Sequence, residues 1–182
     1  DRCDVFAEGP LEKLELGLLF TVVSVEVYAN IIRALGVGGY RDPVLADKNS
    51  PRYPDEHFTC YTFFYDWRRD NVENAIRFGR YLSDRRAEIQ RRARARIAKL
   101  RAQVADQGRA DEARAEADEL EAWLARGFRF DVVAHSMGGL LAHYYLRYGA
   151  QDLPADGSPP EVTWAGAQEI DEPFLHVGVE RR

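Results

Sequence analysis

Cysteine is scarce in this chain: Cys3 and Cys60 are the only two in 182 residues, and they form no C-x-x-C pair. That scarcity argues against a disulfide framework or a thiolate metal site, and no metal or cofactor is expected. Cys60 sits in a strand-like run, where a buried cysteine behaves as a small apolar residue. Long hydrophobic runs are missing too. The most apolar stretch near the start, GLLFTVVSV at residues 17–25, is too short to cross a bilayer. Glu12, Glu15 and Glu26 flank it where a secretory leader would carry positive charge. No targeting segment is recognised, and the cytoplasm is the default expectation. Nor is there a basic excess. Lys and Arg number 25 against 30 Asp and Glu, a net charge of −5, which gives no reason to expect nucleic acid as a partner.

What remains is ordinary for one globular domain with a core: 46% hydrophobic and 30% charged residues. Residues 1–25 read as little more than one strand or apolar turn. VEVYANIIRALGVGGY then places Val27, Ile31, Ile32 and Leu35 at helical spacing, with Gly36 placed to end the helix. GVGGY at 36–40 follows that helix and reads as its stop and a turn, not as a dinucleotide-binding loop. Three prolines among polar residues make 41–56 a loop. HFTCYTFFYDW, residues 57–67, is rich in aromatic and β-branched residues and reads as a strand buried on both faces. Asp70 or Asn71 is placed to cap a following helix.

From about residue 79 to 126 the composition changes. Ile89, Ala93, Ile97, Leu100 and Val104 form one apolar stripe on a basic helix, and Ala113, Ala117, Leu120 and Leu124 form another on an acidic helix. The two are expected to fold back as an antiparallel hairpin, inserted at about 80–126. It is either a solvated insertion packed against the body or a cap or partner-binding arm beside an active site, and in a second functional reading the chain is non-catalytic and binds a protein partner through this hairpin. FRFDVVAH is the next strand and MGGLLAHYYLRYG the helix after it, closed by Gly149. Residues 150–163 form a loop, and the tail reads as one helical turn and a strand over 174–179. Strands alternating with helices argue for a largely parallel sheet.

The chemistry concentrates at AHSMGG, residues 134–139. A serine on a sharp strand-to-helix turn needs small residues two positions either side, because larger side chains would collide. Ala134 and Gly138 meet that need, and Gly139 lets the helix approach the sheet. The Met137 backbone N–H, at the helix N-terminus, is a candidate oxyanion donor.

AHSMGG resembles the nucleophile elbow of the α/β-hydrolases. FFYDWRRDN at 63–71 resembles the more specific strand end of the lecithin:cholesterol acyltransferase-like lipases and acyltransferases. VYANIIRALGVGGYRD and VTWAGAQEID look like further parts of that family, so the likeness covers about 27–80 and 128–175. It implies an α/β-hydrolase-type, mainly parallel sheet with flanking helices. It also implies a lipid or other carboxylic ester substrate, Ser136 as nucleophile through an acyl-enzyme, and Met137 as oxyanion donor. Tyr65, Asp66, Trp67 and Arg68 would lie at the substrate-binding end of their strand, with His135 as a wall of the site. A structural alternative for the quartet is Trp67 packed over the core and an Asp–Arg pair bracing a turn.

The partners of Ser136 are not evident. In such a fold the acid and then the histidine follow the serine, and only His143 and His176 do so here. His143 lies seven residues along the helix, about 10 Å of rise away. His176 falls in the first strand after the turn, whereas the family takes its histidine from a loop several strands later. His57 and His135 precede the serine. The expectation is therefore an incomplete sheet, a piece of a longer hydrolase that is inactive on its own. The open edge of its last strand would favour self-association.

Overall fold

The computed structural model describes residues 13–18, 21–26, 40, 58–104, 110–168 and 170–174. The expected helix at 27–35, the loop at 41–56, His57, His176 and Cys3 lie outside these residues, as does GVGGY apart from Tyr40. The chain divides into two compact units, 1–66 and 67–182.

In the first unit, β1 (Lys13–Leu18) and β2 (Thr21–Glu26) pair antiparallel, from Lys13 opposite Glu26 to Leu18 opposite Thr21. The apolar run at 17–25 thus contributes to the end of β1 and to most of β2 instead of forming one strand alone. The strand expected over 57–67 is not formed among its described residues, 58–67. Residues 58–66 join no ladder, and each is half-buried or exposed. Phe63 and Tyr65 instead stack on each other, ring centroids 5.9 Å apart. The aromatic run satisfies strand propensity, but that propensity reports packing against neighbouring strands. Among the described residues none pairs with it.

The second unit is dominated by helix. Asp70 caps α1 (Asn71–Val104), its Oδ1 accepting the Val72 N–H at 2.6 Å. Such a cap is worth about 1 kcal/mol. The helix runs unbroken for 34 residues, about 50 Å at 1.5 Å per residue. The hairpin expected at about 80–126 therefore starts inside this helix. Its first arm is the distal part of a helix whose proximal part, through Asn74, Ala75, Phe78, Gly79 and Leu82, is buried in the body.

The hairpin itself forms as its two stripes require. α2 (Ala110–Arg126) packs Ala113 and Ala117 against Leu100, with Ile97, Val104 and Leu120 around them. Arg96 pairs with Glu116 at 3.0 Å, and Arg101 reaches Asp118 at 2.6 Å and Glu121 at 3.0 Å. These exposed pairs fix the register of basic helix on acidic helix more than they stabilise it. Within α1, Arg91 and Arg92 hold the Glu88 carboxyl below its ordinary pKa by hydrogen bonding to it.

β3 (Phe130–Val133) leads through a turn into α3 (Met137–Tyr148), and a short 3-10 helix (Ala165–Gln168) precedes β4 (Ile170–Phe174). β4 pairs parallel with β3, Phe130 opposite Ile170 and Val133 opposite Phe174, with an irregularity between. The last strand therefore begins four residues earlier than the sequence suggested. This two-stranded pair is the parallel pairing present among the described residues. The mainly parallel α/β-hydrolase sheet implied by the resemblance is not seen: helices of 34, 17 and 12 residues outweigh strands of four to six.

α3 buries Gly139, Leu141, Ala142, Tyr145 and Leu146. Tyr145 meets Phe78 of α1 edge to face at 5.4 Å. Two glycines permit the close contacts. A Cβ on Gly79 would stand 2.5 Å from the Tyr145 ring, and one on Gly166 would stand 2.4 Å from the Tyr145 carbonyl oxygen. A ring can rotate away, whereas helical backbone cannot. Gly166→Ala should therefore lower stability by about 1–3 kcal/mol. Gly79→Ala, which also gains helix propensity, should cost less. Urea midpoints of the two variants check the order, and equal midpoints would contradict it.

Candidate active site

Ser136 occupies the turn between β3 and α3 with φ 52° and ψ −125°. An L-residue seldom adopts a positive φ, and holding one there costs about 1–3 kcal/mol. The sequence explains the turn's shape. Ala134 and Gly138 keep side chains small on both sides, and Gly139 is buried where α3 meets the body. Ser136 is exposed, and its hydroxyl makes no capping hydrogen bond. Most serines at a helix N-terminus spend their oxygen on the N2 or N3 amide. Here the hydroxyl stays available.

The first turn of α3 closes through backbone groups. The Gly138 N–H donates to the His135 carbonyl at 3.0 Å, and the Gly139 N–H donates to the Ser136 carbonyl at 2.9 Å. Among the described residues, the Met137 N–H has no acceptor, so it is the helix N-terminal donor left for a ligand oxygen. The helix dipole adds partial positive charge at that point.

His135 is exposed beside the serine, and His143 is exposed farther along α3. Among the described residues no histidine or carboxylate hydrogen-bonds to the Ser136 hydroxyl, and no three His, Cys, Asp or Glu side chains gather as metal ligands would. The quartet is divided between the units. Tyr65 and Asp66 end the first unit half-buried, whereas Trp67 and Arg68 open the second, both exposed. Trp67 is 68% exposed, so it does not pack over the core as the structural alternative required. In the residues that follow, Arg69 pairs with Glu73 and Asp70 caps α1.

Two apolar residues to which the sequence pattern gave no role at the site flank the serine. Val133, which ends β3, is 56% exposed, and Leu140, on the first turn of α3, is 64% exposed. Their spacing offered a signal, because Leu140 is four residues after Ser136 and so shares its side of the helix. At the far end of α3, the half-buried Tyr144 hydroxyl donates to the Gln151 carbonyl at 3.1 Å. Burial, with Asp152 nearby, raises its pKa above the ordinary tyrosine value.

The cost at Ser136 lies in its backbone and not in its hydroxyl, which separates two substitutions. Ser136→Gly should be more stable than Ser136→Ala by about 1 kcal/mol, because glycine accepts a positive φ without the Cβ clash. Thermal or urea unfolding of the pair tests this, and an alanine variant at least as stable as the glycine one would show an unstrained turn.

No helix among the described residues is long and apolar enough to cross a membrane. Compared with protein-family models, curated proteins and solved structures, the chain matches none, so its likeness to the lipases and acyltransferases rests on the quoted residues alone.

Proposed function

We propose that Ser136 is a nucleophile that attacks the carbonyl of a lipid or other carboxylic ester and carries its acyl group as an acyl-enzyme, to be passed to water or to an alcohol. The observation that carries this reading is the strained, exposed turn at Ser136. Backbone strain persists where surrounding structure enforces it, and such strain clusters at working sites. A serine on this turn projects its hydroxyl from the strand end while the Met137 N–H stands ready for the oxygen that becomes negative on attack. The exposed Val133 and Leu140 are compatible with the apolar part of an ester. His135, Trp67 and Arg68, in the same unit as Ser136, remain the proposed substrate-side residues.

Attack requires removal of the serine proton, and no base meets Ser136 among the described residues. Added imidazole can supply that base from solution. In a fluorophosphonate-labelling assay without imidazole, the chain should react no faster than Ser136→Ala. With imidazole it should label at Ser136, and the alanine variant should not. Equal labelling of the two at every imidazole concentration would overturn the nucleophile. Ser136-dependent labelling without imidazole would overturn the missing base, and His176→Ala would then show whether His176 supplies it.

The expected self-association belongs to the same reading. Parallel pairs are slightly less stable than antiparallel ones and occur mostly inside larger covered sheets. The β3–β4 pair should therefore recruit a further strand from a second copy at micromolar concentration. Sedimentation should show a concentration-dependent oligomer, and a clean monomer would contradict it.

A further inference from the structure

We infer that Arg86 is a positioning residue for Ser136, holding the start of β3 on the helix that also holds α3. This rests on reading Ser136 as the nucleophile. The strained turn cannot fix itself: the Ser136 side chain makes no cap bond, and its φ of 52° would relax if the two arms of the turn moved independently. Both arms must be gripped, and the structure shows two grips on α1.

The helix arm is gripped at Phe78 and Gly79, against which Tyr145 of α3 lies. The strand arm is gripped by Arg86. Its Nη1 donates to the Phe128 carbonyl at 2.8 Å, across 42 residues of chain. Its guanidinium also lies over the Phe128 ring at 5.2 Å and the Phe130 ring at 5.8 Å. Phe128 in turn stacks on Trp123 of α2 at 4.8 Å and meets Phe130 edge to face at 5.7 Å. Phe130 is the first residue of β3.

Gly79 and Arg86 are seven residues apart, so they share one side of α1 about 10 Å apart along its axis. A single rigid helix thus holds both the strand before the turn and the helix after it. Pairing with β4 holds β3 from another side, but over a short and irregular register. The planar guanidinium suits this place better than an ammonium would, because it donates at its edge while its face covers a ring. Arg86 Nη2 is buried with no acceptor among the described residues, so the ring contacts and the single hydrogen bond hold the group in place.

The chain supplies its own reporter. Its single methionine is Met137, so a ¹³C-methyl label gives one resonance beside Ser136. Arg86→Leu and Arg86→Lys, which leave Met137 the single methionine, would be compared with Leu100→Ala, which weakens the hairpin's own core. Each variant is measured well below its unfolding midpoint, by the Met137 methyl spectrum and by imidazole-supported fluorophosphonate labelling. Arg86→Leu should shift or broaden the methyl resonance and slow labelling about tenfold or more, Arg86→Lys should fall between, and Leu100→Ala should leave both as in the parent chain.

An unmoved Met137 resonance in Arg86→Leu, or an equal change in Leu100→Ala, would overturn the positioning role. Should Arg86→Leu fail to fold, a parent-like spectrum and rate in Arg86→Lys would overturn the role of the guanidinium. If no form labels yet Arg86→Leu still moves the Met137 signal, the grip on the turn stands and the nucleophile reading falls.

Discussion

Tyr145 of α3 lies against Phe78 and Gly79 of α1, and the second compact unit is built outward from that contact. Gly166 lets the 3-10 helix sit directly on the Tyr145–Leu146 backbone of α3. Toward its distal end, α1 meets α2 through Leu100, Ala113 and Ala117. One helix therefore serves as backing for the serine helix and as half of the hairpin. Glycine at position 79 matters because the contact depends on the approach of a ring to a helix backbone, which a methyl group would hold apart.

From that backing follows what is unusual at Ser136. A positive φ in a non-glycine residue is a cost that local sequence does not repay. It is tolerable when strand and helix are each fixed by something else, so that relaxing the turn would break better contacts elsewhere. The reward is geometric. The hydroxyl is exposed, an amide donor stands next to it, and small neighbours leave room for a reacting group. Those are the parts a serine nucleophile needs from its own segment of chain. The proposed nucleophile would need its base and acid from elsewhere.

The elements legible in the sequence were those specified by local pattern. Two apolar stripes at helical spacing marked the hairpin, Asp70 marked the start of α1, and Ala134, Ser136 and Gly138 marked the turn. Reading failed where long-range contacts decide. Gly79 resembled a boundary because composition changes there, but a helix absorbs one glycine for about 1 kcal/mol, and here the glycine serves packing. The aromatic run at 58–66 carries strand propensity without a strand beside it among the described residues, and the expected mainly parallel sheet failed with it. Residues 1–25 read as one strand or apolar turn and not as the pair β1–β2, because Leu19 and Phe20 carry none of the Asn-Gly chemistry of short hairpin turns. Arg86 could not be found by motif, since its partners lie 42 residues away and are recognised by ring faces and a carbonyl.

The central claim is that the chain holds Ser136 in a strained backbone conformation through contacts made elsewhere, whatever its side chain. The sign of φ at residue 136 tests this most directly, read from three-bond amide couplings in the NMR spectra of the isotope-labelled chain and of its Ser136→Ala variant. The account predicts a positive φ in both. A negative φ, the ordinary conformation of a helix N-cap, would contradict it and leave Ser136 an ordinary exposed serine.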